Sequence, residues 1–179
     1  MWLLRAWLDG KISTSKRFAE IMFSCATCGN CTENCAFPEF KDYILMAFTA
    51  GKEKFLDTGK VPAAVRDYLT KMQLHGNPYG LPAKKRAAWS EGMDVEAFSD
   101  QEYMFFTDDV SAYDSRGQEI VRSVAGLLHK AGVSFGILAQ DINSDGNDVR
   151  AMGEIPLFEE EVRGVNMIGK VTESLFPGA

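Results

Sequence analysis

The sequence Cys25-Ala-Thr-Cys28-Gly-Asn-Cys31-Thr-Glu-Asn-Cys35 contains all four cysteines of this 179-residue chain. Their spacing, C-x2-C-x2-C-x3-C, is that of bacterial-type iron–sulfur ligation, in which one short loop wraps its thiolates around a cube of iron and sulfide. A disulfide is disfavoured because the sequence shows no secretory signal, and zinc prefers two separated C-x2-C pairs. Gly29 can adopt the positive φ that such a wrap requires. The run therefore predicts a [4Fe–4S] cluster with the ligands Cys25, Cys28, Cys31 and Cys35.

The role of the fourth cysteine stays open at this point. In two-cluster ferredoxins the last cysteine of such a run ligates the other cluster, and a second run supplies the reciprocal ligand. This sequence has no second run. Either the four cysteines close on one cube, or Cys35 reaches a cluster in another chain and a partner donates the missing ligand here.

Composition and charge exclude several classes of protein. Apolar residues make up 46% and charged residues 25%, which is a globular composition rather than a disordered one. The net charge of −6 argues against a nucleic-acid partner, which requires a basic face. No run approaches the roughly 18–20 apolar residues of a transmembrane helix. The N-terminal sequence lacks a signal-peptide cleavage site, so the free cysteines predict a cytoplasmic protein.

Apolar periodicity predicts helices on both sides of the cysteine run. Gly51 is predicted to end the second of them, and Pro62 to begin the third, because its missing N–H costs little in a first turn. Helices that flank a cluster run favour a helical ferredoxin-like module over the compact two-hairpin kind. The predicted helices are Ser13 to Phe23, Glu39 to Ala50 and Ala63 to Met72.

The second half of the chain changes to a strand–helix–strand pattern. Short apolar runs at Tyr103 to Thr107 and Val133 to Leu138 predict buried strands. Between them, Arg116 to Ala131 predicts a helix that Gly132 ends. Such a βαβ unit implies a parallel strand pair with a right-handed crossover. A long helix is predicted next, over Glu154 to Leu175. The central helix is predicted to face the core with Ile120, Val121, Val124, Leu127, Leu128 and Ala131.

The predicted fold class is α+β overall. Residues 1–75 form a helical cluster module, 76–101 a connector and 102–179 a small α/β (βαβα) domain. Glycines and prolines from Gly76 to Pro82 indicate loop in the connector. The basic residues Lys84, Lys85 and Arg86 are predicted to lie on a solvated face. The Tyr113-Asp114 pair is predicted to cap the following helix, and the sequence contains no dinucleotide fingerprint, phosphate loop or nucleophile–base pair.

Several short motifs run through the second half and, with the cysteine run, resemble the cysteine-rich CCG domain of the heterodisulfide reductase family. That family includes the catalytic subunit of heterodisulfide reductase and the iron–sulfur subunit of anaerobic glycerol-3-phosphate dehydrogenase. The resemblance covers residues 15–175, and the cysteine run stands where the family has its second ferredoxin-type motif. The motifs are Gly76-Asn-Pro, Tyr113-Asp114, Arg116, Gln118-Glu119-Ile120, Ala131 to Leu138, Gly146, Arg150, Gly153-Glu154 and Leu157 to Glu160.

The departures from the family concern its cysteines. In the family, a cysteine before the Tyr-Asp pair, a Cys-Cys-Gly after the second strand and a later C-x-x-C bind a non-cubane cluster pair that reduces disulfides. Here Asp109 stands at the first position, Ser144-Asp145 precede Gly146, and the sequence stops before the C-x-x-C. Carboxylates and hydroxyls are hard ligands, poorly matched to iron–sulfur cores. The resemblance therefore implies a retained cubane and scaffold without the disulfide-reducing site.

The resulting prediction is a non-catalytic electron-transfer subunit of a heterodisulfide-reductase-like oxidoreductase complex. It relays electrons through one [4Fe–4S] cluster, and its CCG-like domain docks other redox subunits. The alternative is a structural or regulatory module whose cluster senses redox state or oxygen. A third interpretation is a piece of a longer enzyme.

Overall fold

The computed structural model describes residues 2–138 and 143–161, which form two compact units. The first unit combines residues up to Leu69 with the later segment Gly146–Glu159, and the second combines the described residues between Thr70 and Asp145 with Glu160 and Glu161. Helices dominate, with one small parallel sheet of two strands. The predicted α+β class is therefore confirmed.

The first unit is built from helices that pack around Phe55. Ser15 accepts a hydrogen bond from the Phe18 N–H at 3.2 Å and so caps the second helix, three residues after the predicted start. The centroids of the Trp7 and Phe18 rings lie 4.7 and 4.8 Å, respectively, from the centroid of the Phe55 ring. The helices in this part of the chain are α1 (Trp2–Leu8), α2 (Lys16–Phe23), α3 (Asn30–Glu33), α4 (Tyr43–Asp57) and α5 (Ala63–His75), whose residues from Thr70 onward belong to the second unit.

The prediction that Gly51 ends the second predicted helix is wrong, because α4 runs through it to Asp57. A Cβ at Gly51 would lie 2.8 Å from Leu4 Cδ1 and 2.9 Å from Met22 Cε. The glycine therefore lets side chains of α1 and α2 approach the backbone of α4. Its sequence signal is a packing requirement and not a helix stop.

The second unit contains the predicted strand–helix–strand pattern. Strands β1 (Tyr103–Met104) and β2 (Phe135–Gly136) pair in parallel, with Tyr103 opposite Phe135. The parallel pairing is confirmed, although each strand spans two residues and is shorter than predicted. The helices between them are α6 (Asp109–Tyr113) and α7 (Ser115–Lys130), and two 3₁₀ turns, Ala83–Lys85 and Ala88–Ser90, precede the sheet.

Both predicted ends of α7 are confirmed. The Asp114 carboxylate accepts hydrogen bonds from the N–H groups of Arg116 and Gly117 at 3.0 and 3.1 Å. At the other end Gly132 has a φ of 71°, and the Val133 N–H donates to the Leu128 carbonyl at 3.0 Å. This is the Schellman arrangement, which depends on a glycine in the left-handed region.

The buried face of α7 differs from the predicted one. Val121 and Ala125 are buried, whereas Ile120 and Leu127 are 58% and 65% exposed. Gly117 shares the buried face, and a Cβ there would lie 2.3 Å from the Val110 carbonyl oxygen. Small residues thus decide which side of α7 faces inward. The core of this unit is Trp89, Val121, Ala125, Phe135 and Ile137.

The chain after the sheet is described in part. Helix α8 (Asn147–Ala151) belongs to the first unit, and residues 155–161 are helical. The start of the predicted helix from Glu154 is therefore observed, and the remainder of that prediction lies outside the described residues.

Candidate functional site

The four cysteines lie on the segment between α2 and α4, and α3 lies within it. All four are free thiols. Cys25 and Cys35, at the two ends of the run, are half-buried, whereas Cys28 and Cys31 are exposed. The thiols are therefore accessible on one surface segment, which we call the cysteine loop (residues 25–35).

Two residues with left-handed backbone bend the cysteine loop. Thr27 has a φ of 52° and Gly29 has a φ of 79°. Both residues lie between the first and third cysteines. A β-branched residue rarely adopts this conformation, and the surrounding structure must offset its cost. The Gly29 carbonyl then accepts from the N–H groups of Thr32 and Glu33, which starts α3. The positive φ expected at Gly29 is thus observed.

Two polar groups within or just after the cysteine loop are relevant to hydrogen bonding at sulfur. The Phe37 N–H donates to Cys35 Sγ at 3.4 Å. The Thr32 hydroxyl is buried and has no hydrogen-bond partner within the described part of the chain. Hydrogen bonds to ligand sulfurs are among the features that set the potential of an iron–sulfur cluster.

A buried lysine holds the start of the cysteine loop. Lys52, on α4, is 2% exposed, and its Nζ donates to the carbonyl oxygens of Cys25 at 2.8 Å and Ala151 at 2.9 Å. Burial lowers the pKa of Lys52 below its ordinary value, and the neighbouring Cys25 acts in the opposite direction. Sequence analysis missed this residue. Its signal is a lysine three residues before the buried Phe55, on the apolar stripe of a helix.

The donors of the cysteine loop fit an iron–sulfur cluster by their chemistry, because thiolates are the ligands that such cores require. The Phe37 N–H adds a hydrogen-bond donor to the Cys35 sulfur, and the Thr32 hydroxyl is a buried polar group without a hydrogen-bond partner among the described residues. In the ranges 2–138 and 143–161, however, no three His, Cys, Asp or Glu side chains are gathered closely enough to hold a metal ion. The loop thus carries the right ligands in an open arrangement rather than a preformed cage.

The second unit has a partly buried ion pair at Asp109, the first of the positions at which the resemblance implies a cysteine. Arg86 Nη2 bonds to Asp109 Oδ1, and Arg86 Nη1 donates to the Thr107 carbonyl at 3.0 Å. Ser144 also bonds to Asp109 through its side chain. Arg86 is 2% exposed, so its predicted place on a solvated face is wrong, whereas its neighbours Lys84 and Lys85 are exposed as predicted.

A second acid is buried in the same unit. Glu161 is 4% exposed, and its Oε2 has no hydrogen-bond partner among the described residues. Burial raises the pKa of Glu161 to about 7; Asp109 and Glu160 add to the rise, while an Asn143 hydrogen bond and Arg86 oppose it. Burial also raises the pKa of Asp109 despite the adjacent guanidinium. We call Arg86, Asp109 and Glu161 the polar interior.

Comparison with known proteins finds relatives of the iron–sulfur oxidoreductase type. The chain is 32% identical over 151 residues to the Bacillus subtilis protein named "Probable iron-sulfur-binding oxidoreductase FadF". It is 26% identical over 149 residues to "EtfAB:quinone oxidoreductase" of Syntrophomonas wolfei. It is 25% identical over 149 residues to "Probable membrane-anchored ferredoxin" of Chromohalobacter salexigens. No family model matches the chain, and no solved structure matches it.

These alignments cover most of this chain and a small part of each relative. They span 79%, 79% and 81% of the chain, and 21%, 21% and 22% of the respective relatives. The chain therefore spans about a fifth of the length of the curated relatives it matches. Among the described residues, none of the helices has the length and apolar character needed to cross a bilayer.

Proposed function

We propose that the cysteine loop binds one [4Fe–4S] cluster through Cys25, Cys28, Cys31 and Cys35, and that the chain relays electrons within an oxidoreductase complex. The observation that carries this proposal is the distribution of thiols: every cysteine of the chain is free and lies on one loop with ligand spacing. The relatives named as an iron-sulfur-binding oxidoreductase and an EtfAB:quinone oxidoreductase support it. A bound cubane supplies one-electron redox chemistry.

The protein's own part is to hold and shield the loop. The left-handed residues Thr27 and Gly29 turn the backbone between successive ligands, and the Phe37 N–H donates to the last sulfur. Met22 is buried in the core immediately before the loop. Apolar surroundings and hydrogen bonds to sulfur both tune a cluster's potential.

We further propose that the complex is of the heterodisulfide-reductase type and that this chain does not itself reduce disulfides. The polar interior supports this, because Asp109 is paired with Arg86 at a position where the resembled family has a thiolate. Carboxylates suit hard cations and not iron–sulfur cores. The second unit then serves to dock other redox subunits, and the cytoplasm is the proposed location.

Metal analysis of the full chain tests the proposal. Protein purified or reconstituted without oxygen should contain about four irons and four sulfides per chain, as a cubane requires. Reduction with dithionite should produce the electron paramagnetic resonance signal of a reduced cubane. Fewer than about three irons per chain would contradict the proposal.

The role of Cys35 is tested separately. If Cys35 completes the cube, Cys35→Ser should lower the iron content or change the resonance signal, since the sulfur is replaced by a harder oxygen ligand. A variant that keeps a full, unchanged cubane would instead assign Cys35 to a cluster in a neighbouring chain.

A further inference from the structure

Lys52 is a buried lysine, and among the described residues no carboxylate forms an ion pair with it. Its ammonium group is removed from water, and within the described residues its hydrogen bonds go to two backbone carbonyls, of Cys25 and Ala151. Carbonyl dipoles replace part of the lost hydration, but they do not neutralise the charge. A buried charge left without a counter-charge destabilises a fold, so this arrangement calls for an anionic group nearby.

The Lys52 ammonium group lies at the start of the cysteine loop, since its Nζ is 2.8 Å from the carbonyl oxygen of Cys25. No carboxylate forms an ion pair with Lys52 in the described residues, although Glu53 follows it directly in the sequence and is exposed. A cube of iron and sulfide held by four thiolates carries a net negative charge, and that net charge is one of the determinants of its potential. The missing counter-charge is therefore one that a cluster would bring.

The second carbonyl partner is held in place by close backbone packing within the first unit. Gly153 has a φ of 88°, and a Cβ there would lie 2.5 Å from the Glu53 N and 3.0 Å from the Thr49 carbonyl oxygen. The turn after α8 thus lies directly against the backbone of α4. This fixes the Ala151 carbonyl, which in turn orients the Lys52 ammonium group.

We propose that Lys52 is the counter-charge of the cluster on the cysteine loop and raises its midpoint potential. The inference rests on the proposed function, since it presupposes a cluster at Cys25 to Cys35. Reduction adds a negative charge, and a nearby cation in a low-dielectric site stabilises the reduced form more than the oxidised form. Lys52 is a positioning residue, because it acts through the Cys25 backbone and through its charge rather than as a ligand.

Redox titration of four proteins tests this inference. The full chain is reconstituted without oxygen as wild type, Lys52→Met, Lys52→Arg and Lys54→Met, and the reduced-cluster resonance signal is followed against potential. Lys54 is an exposed lysine on the same helix and serves as the control. Lys52→Met should shift the midpoint potential to more negative values, while Lys52→Arg and Lys54→Met should stay at the wild-type value.

The outcomes separate the two proposals. A wild-type chain that takes up no cluster would contradict the proposed function. A wild-type cluster whose midpoint potential equals that of Lys52→Met would overturn the inference about Lys52 alone. A purely structural lysine would change the unfolding of the apo protein and leave the potential unchanged.

A second neutral variant covers the case in which Lys52→Met is poorly folded. Lys52→Gln is also uncharged, but its amide can still donate to one of the two carbonyls. Circular dichroism of both apo variants should match the wild type, and Lys52→Gln should show the same negative shift or a loss of bound cluster. Failure of both neutral variants to fold would overturn the inference, because Lys52 would then be required by the fold itself.

Discussion

One buried cation lies beside the cysteine loop and another belongs to the polar interior, but the balance of charge around the two cations is opposite. Lys52 contacts carbonyl oxygens and no carboxylate among the described residues, whereas Arg86 bonds to the partly buried Asp109 and acts electrostatically on the buried Glu161. The first arrangement lacks a negative charge and suits an anionic cofactor. The second arrangement already has more acidic than basic groups, so a further anionic group there would be repelled. Variants of the two regions should therefore respond differently.

The largest effect is expected from Arg86→Met. It leaves Asp109 buried without its cation, and breaking a buried pair from one side typically costs about 3–5 kcal/mol. Urea denaturation of the apo protein should show a loss of that size in the free energy of unfolding. The matched control is Lys85→Met, at an exposed position, with an expected change within about 0.5 kcal/mol. Equal stability of both variants would break the comparison.

A smaller effect, which depends on pH, is expected from Glu161. Its pKa rises from 4.5 to about 7 on folding, so between these values the folded chain binds more protons than the unfolded one. The contribution of Glu161 to the free energy of unfolding is fully present below pH 4.5 and is lost as the pH rises through about 7. The loss is about 3 kcal/mol, because each tenfold change in proton affinity corresponds to roughly 1.4 kcal/mol.

The measurement for Glu161 is the unfolding free energy at pH 5 and pH 8. Glu161→Gln removes the titration and keeps a hydrogen-bonding side chain, so the variant should lose less stability between the two pH values than the wild type. Parallel profiles for the two proteins would show that Glu161 does not titrate in this window.

A moderate effect is expected where the turn after α8 meets α4. Gly153→Ala places a Cβ against backbone atoms at a φ of 88°, which should cost about 2 kcal/mol in apo stability. Gly59→Ala is the control, because Gly59 has a comparable φ of 68° but open space around it. Its cost should be about 1 kcal/mol, which is the backbone term alone. Thermal melting compares the two, and the same cost for both would mean that the close packing at Gly153 adds nothing.

The smallest change in stability is expected from Cys28→Ser, within about 0.5 kcal/mol for the apo protein, because the thiol is exposed. The same substitution should abolish a stable full cubane, which iron analysis measures. This contrast sharpens the comparison, since the proposed function gives the cysteine loop a role in binding a cofactor and the polar interior a role in stabilising the fold. A large loss of apo stability in Cys28→Ser would contradict that division.

Local signals in the sequence predict much of the fold correctly. The cap by Asp114, the stop at Gly132 and the parallel pairing of β1 and β2 each depend on residues close in the chain or on a known connection rule. The prediction that Gly51 ends a helix is wrong, because a glycine that ends a helix and one that permits close packing cannot be distinguished until the neighbouring helices are known.

The candidate site also contains features that local sequence predicts and features that depend on tertiary contacts. The proposal that the four cysteines are ligands follows from their spacing alone, whereas the position of Lys52 depends on an acceptor at Ala151, 99 residues further along the chain. The burial of Arg86 likewise follows from contacts with Thr107 and Asp109, which no local pattern indicates. Buried charges are placed by tertiary structure, so a sequence reading assigns them to solvent by default.

The discontinuity of the first unit has a consequence for biosynthesis. Its residues up to Leu69 leave the ribosome early, but Gly146–Glu159 follow only after most of the second unit has been made. Until Ala151 has been synthesised, the Lys52 ammonium group lacks one of its two acceptors, and only its hydrogen bond to the Cys25 carbonyl can form. The Lys52 side chain therefore gains its second acceptor only at a late stage of translation, when nearly the whole described chain has been made.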